Sequence, residues 1–298
     1  MSAQSNCAAR TRPQTKPILV IAAIAASIGA STPSRASDTD SEHLFGFTEG
    51  ADIGKAGERE AESETIGRFG KAAGSYAAFT QNGQVKMVPI ENFRVGVNAA
   101  FGYFDMSGVP ELRDGRMATL QGISLEARYM LLDRHAAPFG LTVIAEPRWG
   151  RIDATSGSSA TSFGGTLTVA ADKELIDDRL FGALNVLYDP QATRLPIPSA
   201  WHYESEIGAS AALSARISTA LFLGGEIRYL RAYDALGADA FAGQAIFAGP
   251  TLYVQISKHV ALSAAWNAQL WGRSASGDAL DLVHFERQQA KIRINFNF

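Results

Sequence analysis

The residues best suited to chemistry are histidine and carboxylate side chains that alternate along one stretch, WHYESEI. There His202, Glu204 and Glu206 occupy every second position, and such side chains can ligate a divalent cation. In an extended strand this spacing spreads three groups over about 13 Å, which is too far for one ion. The sequence holds no G-x-S-x-G, H-E-x-x-H or P-loop pattern. We therefore predict no enzyme activity, no metal site and no cofactor.

A second charged pattern, Glu-x-Arg followed by an aromatic residue, occurs three times. The copies are EARY at Glu126–Tyr129, EPRW at Glu146–Trp149 and EIRY at Glu226–Tyr229. Residues i and i+2 of a strand share a face, so each Glu and Arg lie on the face opposite their apolar neighbours. The pattern therefore indicates strands that have one charged and one apolar face.

Alternation with a period of two runs through almost the whole chain after residue 57. Its segments are about 11–17 residues long, whereas globular strands average five or six residues and tilted membrane-spanning strands need about 9–11. Short connections alternate with longer polar ones, as in bacterial outer-membrane barrels. Ten or fourteen strands also fit, but we predict twelve, at 58–70, 75–88, 92–104, 117–131, 139–152, 162–174, 179–189, 201–217, 220–231, 241–256, 260–272 and 282–298.

The apolar faces distinguish a membrane barrel from a soluble β-sandwich or lipocalin-like barrel, in which they would form a core. Aromatic residues near strand ends are typical of the interfacial girdles of membrane barrels. We therefore predict an all-β fold, a transmembrane antiparallel up-and-down β-barrel. The residues expected to face lipid are Phe93, Val95, Val97, Leu125, Leu213, Trp266 and Ile294. The charged residues expected to line the lumen are Arg94, Glu126, Arg128, Glu146, Arg148, Glu204, Glu206, Arg216, Glu226, Arg228, Lys291 and Arg293.

The first 36 of the 298 residues have the order of a secretory signal peptide. Basic residues precede the apolar run 17–30, and small residues lead to expected cleavage after Ala36. The single cysteine, Cys7, lies in this segment, so the predicted mature chain has none. Residues 37–57 are then either a periplasmic N-terminal segment or a partial plug, and residues 58–298 form the barrel. The net charge of −3 argues against a nucleic-acid partner.

The chain ends AKIRINFNF, with apolar residues at every second position back from Phe298. This ending resembles the C-terminal signature of bacterial outer-membrane β-barrel, porin-like proteins of Gram-negative bacteria. The resemblance implies that Phe298 is an assembly signal read by the barrel-assembly machinery and that the other partners are outer-membrane lipid and small hydrophilic solutes. Two segments, 44–50 and 285–293, also resemble an uncharacterised alphaproteobacterial porin-like family.

The charges predict two sets of pairs between strands. An antiparallel register places Glu126 opposite Arg148 and Arg128 opposite Glu146, and directly opposed charges contribute about 0.2–1 kcal/mol. Barrel closure pairs the first strand with the last. The acidic residues of the first strand are Glu58, Glu60, Glu62 and Glu64, and the basic residues of the last are Arg287, Lys291 and Arg293.

These features favour a porin-like channel for passive passage of small hydrophilic solutes. An outer-membrane enzyme that modifies lipid or lipopolysaccharide, and a closed structural barrel, remain alternatives. If residues 38–57 enter the lumen, Leu44, Phe45 and Phe47 need an apolar niche, for which Trp271 and Phe247 are candidates. Paired Arg and Glu side chains predict a narrow lumen with low conductance.

Overall fold

The computed structural model describes residues 41–197, 199–274, 277 and 279–298. The predicted signal peptide, its cleavage point and residues 37–40 lie outside the described residues. No helix in the described part of the chain is both long and apolar enough to cross a membrane.

One closed antiparallel sheet contains every strand of the described residues. Each strand pairs with its neighbours in the sequence, and β1 pairs with β12, so the sheet has no free edge. The predicted twelve-stranded, all-β barrel is therefore confirmed, and ten or fourteen strands are excluded. The strands are β1 (Arg59–Phe69), β2 (Ser75–Ile90), β3 (Phe93–Ser107), β4 (Gly115–Leu132), β5 (Gly140–Ile152), β6 (Ser159–Ile176), β7 (Leu180–Arg194), β8 (Trp201–Arg216), β9 (Leu221–Tyr233), β10 (Phe241–Ser257), β11 (Val260–Ser274) and β12 (Gln288–Asn297).

The connections define two ends of the barrel. One end, which we call the turn end, contains the start of β1, the end of β12 and the connections 91–92, 133–139, 177–179, 217–220 and 258–259. The loop end carries connections 70–74, 108–114, 153–158, 195–200, 234–240 and 275–287. Both chain termini of the barrel proper therefore meet at the turn end, where Phe298 donates its backbone N–H to the carbonyl of Arg59 at 3.0 Å.

Side chains alternate between the two faces of the sheet. Apolar residues point outward and are exposed, for example Val97 at 59 % and Leu125 at 58 %. Charged neighbours point inward and are buried, for example Arg94 at 2 %. A charge on a lipid-facing surface would cost about 2–4 kcal/mol at mid-depth, so this partition suits a barrel in a bilayer.

The last strand begins later than the predicted residue 282, because the chain before Gln288 folds into the barrel. Phe285 packs edge to face against Phe247, with 6.2 Å between the ring centroids. Gln269 Nε2 donates to the carbonyls of Asp281 at 3.0 Å and Glu286 at 3.2 Å. Asp281, Phe285 and Glu286 are buried and fill part of the lumen beside β10 and β11, whereas Val283 and Arg287 are exposed, so this stretch does not extend β12.

Candidate functional site

Residues 41–53, which precede β1, lie inside the barrel at its turn end, and we call them the luminal segment. Ser41, Leu44 and Thr48 are fully buried. The segment leaves the barrel beyond Ile53, because Gly54 and Lys55 are exposed and Gly57 donates to the Val88 carbonyl at 2.8 Å. Residues 41–53 therefore occupy the lumen, whereas residues 54–57 lie outside it.

Inward side chains of the barrel bind the backbone of the luminal segment. The Glu226 carboxylate accepts the N–H groups of Phe47 and Thr48, each at 2.9 Å. Asn185 accepts from the Glu49 N–H at 2.6 Å and donates to the Glu49 carbonyl at 2.9 Å. Because the segment has no strand partner, its buried backbone groups need such side-chain partners. The barrel wall therefore supplies the hydrogen-bond partners that a neighbouring strand would otherwise provide.

Glu42 of the luminal segment lies beside two like charges of the barrel wall and reduces their repulsion. Arg94 on β3 and Arg128 on β4 are directly opposite each other, and like charges in that position repel. Glu42 forms a bidentate pair with Arg94 and lies 3.6 Å from Arg128 and 3.2 Å from Lys86. Burial raises the pKa of Glu42, but Arg94 and its neighbours outweigh burial and hold the pKa well below the usual range.

Glu49 is the second carboxylate of the luminal segment that binds wall cations. Its oxygens lie 3.1 Å from Arg293 Nη2, 3.3 Å from Arg128 Nη2 and 3.8 Å from Lys291 Nζ. Burial raises the pKa of Glu49, but Arg293 and Arg128 together lower it far below the usual value. Glu49 is therefore charged at neutral pH, and it joins β4 to β12 across the lumen.

The apolar side chains of the segment fill the turn end. Leu44 and Phe45 form one cluster with inward residues of five strands, which are Phe181, Ala183, Ala212, Phe222, Tyr253 and Ala261. Trp271 and Phe247 were the residues predicted to form an apolar niche for this segment. The prediction is wrong for Trp271, which is 43 % exposed on the outside of the barrel. Phe247 does face inward, but its ring contacts Phe285 and the Arg228 guanidinium. Phe47 instead lies under Arg228, whose Cζ is 3.9 Å from the ring centroid.

The pairing of the first strand with the last places acidic and basic residues together. Glu64 is directly opposite Arg293, and the two side chains approach to 2.9 Å. Lys291 Nζ lies 3.0 Å from the same carboxylate, and Glu62 lies 3.4 Å from Arg293. The expected role of Arg287 is wrong, because Arg287 precedes β12 and is exposed.

Four residues near these charge pairs of β1 and β12 could in principle hold a metal ion, namely Glu42, His43, Glu60 and Glu62. The Lys86 ammonium lies among their carboxylates, at 2.6 Å from Glu62 and 3.2 Å from both Glu42 and Glu60. It therefore occupies the position that a cation would take. Lys86 was not predicted to be part of the site, although it alternates with apolar residues in β2. Residues 37–57 were predicted as a possible plug, but the roles of Glu42 and Glu49 were not.

The first two Glu-x-Arg copies do not pair with each other in the predicted register. On β4 and β5, Arg148 faces Ser124 and not Glu126, so the observed register differs from the predicted one by two residues. Arg148 pairs with Asp189, while Glu146 accepts a hydrogen bond from Ser124 at 2.7 Å. The first and third copies contact the luminal segment through Arg128, Glu226 and Arg228, whereas the second copy does not.

The remaining predicted lumen residues lie towards the two ends. Glu204 is exposed near the loop end, where Gln191 donates to it at 2.8 Å. Glu206 lies one inward position deeper and lines a cavity beside Arg228. Arg216 lies at the turn end, where its Nη2 bonds Asp178 at 2.6 Å and its guanidinium stacks on the Phe222 ring. Arg216 therefore clamps a turn rather than lining the middle of the lumen.

Above the luminal segment the barrel encloses a polar space that we call the vestibule. Its volume is about 470 Å³, and it is lined by charged and amide side chains that include Asn82, Asn98, Gln121, Glu146, Arg148 and Gln191. A smaller cavity of about 200 Å³ adjoins it, since both are lined by Glu49, Glu126, Arg128 and Glu146. Both spaces end at the luminal segment, with Glu49 at the boundary.

Solved structures support the same fold. An outer-membrane channel from Pseudomonas putida F1 is similar with a TM-score of 0.59 and 12 % identity, over 83 % of this chain and 98 % of that one. The β domain of the Bordetella autotransporter BrkA is similar with a TM-score of 0.53 and 12 % identity, over 82 % and 100 %. At this identity the likeness shows the fold alone, which is that of bacterial outer-membrane β-barrels. No curated protein matches the chain.

A family model does match, over residues 37–298. The match includes the luminal segment as well as every strand of the barrel. The chain therefore belongs to the Family of unknown function (DUF6662).

Proposed function

We propose that the protein is a porin-like channel of the bacterial outer membrane for small hydrophilic solutes, closed at rest by the luminal segment. The vestibule is the observation that carries this proposal. A barrel with a purely structural role could be filled by side chains, as eight-stranded barrels are. Here twelve strands leave a polar space of about 470 Å³ at the loop end.

The outward faces support a membrane location. Exposed apolar residues such as Leu213 at 52 % and Trp266 at 48 % alternate with buried polar ones along the strands. In bacterial barrels short turns face the periplasm and longer loops face outward. By that rule the vestibule opens to the outside, and the luminal segment closes the periplasmic side.

Transit then requires the luminal segment to move. The segment forms no strand, and side chains rather than ladder hydrogen bonds hold it. Glu226 is its strongest backbone anchor, because the carboxylate accepts from two adjacent N–H groups and also from Asn267 Nδ2 at 2.8 Å. Hydrogen bonds to a charged group contribute about 1.5–3 kcal/mol each.

Planar-bilayer recording of the refolded mature chain tests this function. The parent should show rare, small openings, and Glu226→Gln should open more often because the amide accepts fewer hydrogen bonds from the segment. Glu204→Gln is the matched control, since it also neutralises a luminal carboxylate but lies at the loop end, away from the segment. A parent and a Glu226→Gln variant that both fail to conduct, while folded in the bilayer, would reject the channel.

The enzymatic alternative finds less support in the side chains. His284 Nδ1 lies 3.1 Å from the Asp281 carboxylate, which is an arrangement that can orient a general base. The same carboxylate accepts the backbone N–H groups of Val283 at 3.2 Å and His284 at 3.1 Å. These hydrogen bonds belong to a local turn between Asp281 and His284. A structural role therefore accounts for the contact between His284 and Asp281.

A further inference from the structure

The floor of the vestibule is formed by three cations that bind a carboxylate. Arg128, Lys291 and Arg293, which we call the floor cations, all line the vestibule, and Glu49 is the carboxylate among them. The Glu49 side chain retains 19 % of its exposure, whereas those of the three cations retain 5–7 %. Glu49 can therefore be reached by a solute that enters from the loop end.

Glu49 differs from the other carboxylates that contact the floor cations. Glu126, 3.0 Å from Arg128, and Glu64, 2.9 Å from Arg293, are carried by β4 and β1. Their backbones belong to the closed sheet and cannot withdraw. Glu42, 3.6 Å from Arg128, belongs to the luminal segment, but its side chain is only 2 % exposed and is paired with Arg94. Glu49 belongs to the luminal segment, and its backbone is held by the separate Asn185 contacts. Its side chain can therefore leave the cations without disturbing the barrel.

We propose that the floor cations are a binding site for a small carboxylate-bearing solute, and that Glu49 occupies this site as an internal competitor. The inference rests on the proposed channel function and names its substrate class. Exchange of one carboxylate for another leaves the charge of the buried network unchanged. A neutral or cationic solute that displaced Glu49 would leave buried cations short of a partner, which is strongly unfavourable.

The chemistry of the site suits a carboxylate. Two guanidinium groups offer planar pairs of N–H donors that match carboxylate oxygens, and the Lys291 ammonium adds a point charge. Around the floor, Asn82, Gln84 and Gln289 line the same vestibule and can bind hydroxyl groups of the solute. Binding would release Glu49 and so remove its ion pairs with Arg128 on β4 and with Lys291 and Arg293 on β12, whereas the contact between Glu42 and Arg128 would remain.

Glu49→Gln tests the site in detergent micelles without any need for conduction. We would titrate the refolded mature chain with sodium acetate by calorimetry, replacing sodium chloride at constant ionic strength. The variant should bind acetate about tenfold more tightly or better than the parent, because an occupied site lowers apparent affinity by its free fraction. Glu146→Gln is the matched control, since it removes one negative charge from the same vestibule without touching the floor cations. An equal gain in both variants, or none in Glu49→Gln, would overturn the site.

A second measurement uses the parent alone and so does not depend on a variant that folds. Acetate, compared with chloride, should raise hydrogen exchange at the amides of Thr48 and Glu49 and leave β4 and β12 unchanged. Unchanged exchange at saturating acetate would contradict the competition. Acetate binding by a barrel that does not conduct would reject the channel function and support the binding site. Conduction without acetate binding would reject the binding site and support the channel function.

Discussion

The two halves of the lumen contain the same types of charged residue, but these residues are buried in one half and partly exposed to solvent in the other. At the turn end, Glu42, Lys86 and Arg94 are each 2 % exposed and form a continuous ionic network with the luminal segment. At the loop end, the side chains of Arg148 and Asp189 retain 35 % and 22 % of their exposure, and Arg148 lines the vestibule. A buried charge needs a bonded partner, whereas a solvated charge keeps water as its partner.

The Glu-x-Arg copies illustrate this difference within one motif. Arg128 and Glu226 bind the luminal segment and are only 4 % and 5 % exposed. Arg148 and Glu146 lie beyond the segment and border the open space. The motif therefore does not define a function by itself, because its role depends on how far along the barrel it lies.

Loss of a single carboxylate should separate the two halves most strongly. Glu42→Gln should destabilise the protein by about 3–5 kcal/mol, since it removes the bidentate partner of the buried Arg94 and leaves Glu126 as the remaining carboxylate that contacts both Arg94 and Arg128. Glu146→Gln should cost about 1 kcal/mol or less. Urea unfolding in micelles, followed through the four tryptophans, which all lie on the outer face, measures both values. Similar midpoints for the two variants would remove the distinction between a buried and a solvated half.

A change in shape should loosen the luminal segment without changing charge. A Cβ at Gly46 would lie against Ala265 Cβ and the Glu226 carboxylate, whereas a Cβ at Gly83 meets nothing within 4 Å. Overpacking costs about 1–3 kcal/mol, so Gly46→Ala should speed hydrogen exchange of residues 47–51 about tenfold. Gly83→Ala, the control on β2, should leave that exchange unchanged. If both variants exchange alike, the fit of the segment is not what holds it.

Acidification should release the luminal segment only well below the usual range of carboxylate titration. Arg94 and Arg293 help to lower the pKa values of Glu42 and Glu49 below 4.5, despite burial. A depressed folded-state pKa stabilises the bound segment above the unfolded value and loses that contribution as pH falls through the folded value. Burial lowers the pKa of His43, but Glu42 and Glu60 raise it above 6.5, so protonation of His43 adds stability as pH falls. Hydrogen exchange of residues 42–49, corrected for intrinsic rate, should therefore show no increase in the opening equilibrium from pH 8 to 5. An opening that increases steadily between pH 7 and 5 would contradict this anchoring.

The smallest effect is expected in the vestibule. Arg148→Ala should leave unfolding within about 1 kcal/mol of the parent, because its partly exposed pair with Asp189 contributes little. In a channel that conducts, the Asp189 carboxylate left behind should shift ion preference towards cations. The reversal potential in a potassium chloride gradient measures this shift, and Arg216→Ala at the turn end serves as the control. A shift towards anions would show that Arg148 does not set the local charge.

Alternation of residues along the chain was sufficient to predict the strands and their faces. Val97, Leu125 and Trp266 lie outside, as the period of two requires. The register between β4 and β5 was predicted wrongly for a physical reason. A slip of two residues leaves every side chain on its own face, so hydrophobic patterning cannot detect it. The seven-residue connection 133–139 and an irregularity near Met130 set the observed pairing.

The sequence by itself determined a barrel that has a charged inner face and an apolar outer face, because both properties are local and repeat every two residues. Only the tertiary structure decided what those inner charges bind. The luminal segment has no periodicity, and its carboxylates Glu42 and Glu49 are far in sequence from Arg94, Arg128 and Arg293. Closure of the sheet brings these cations around one space, where Glu42 and Glu49 add to the carboxylates that the strands already supply, such as Glu126 beside Arg94 and Arg128. That arrangement arises only when the barrel is closed, which is why no stretch of sequence reveals it.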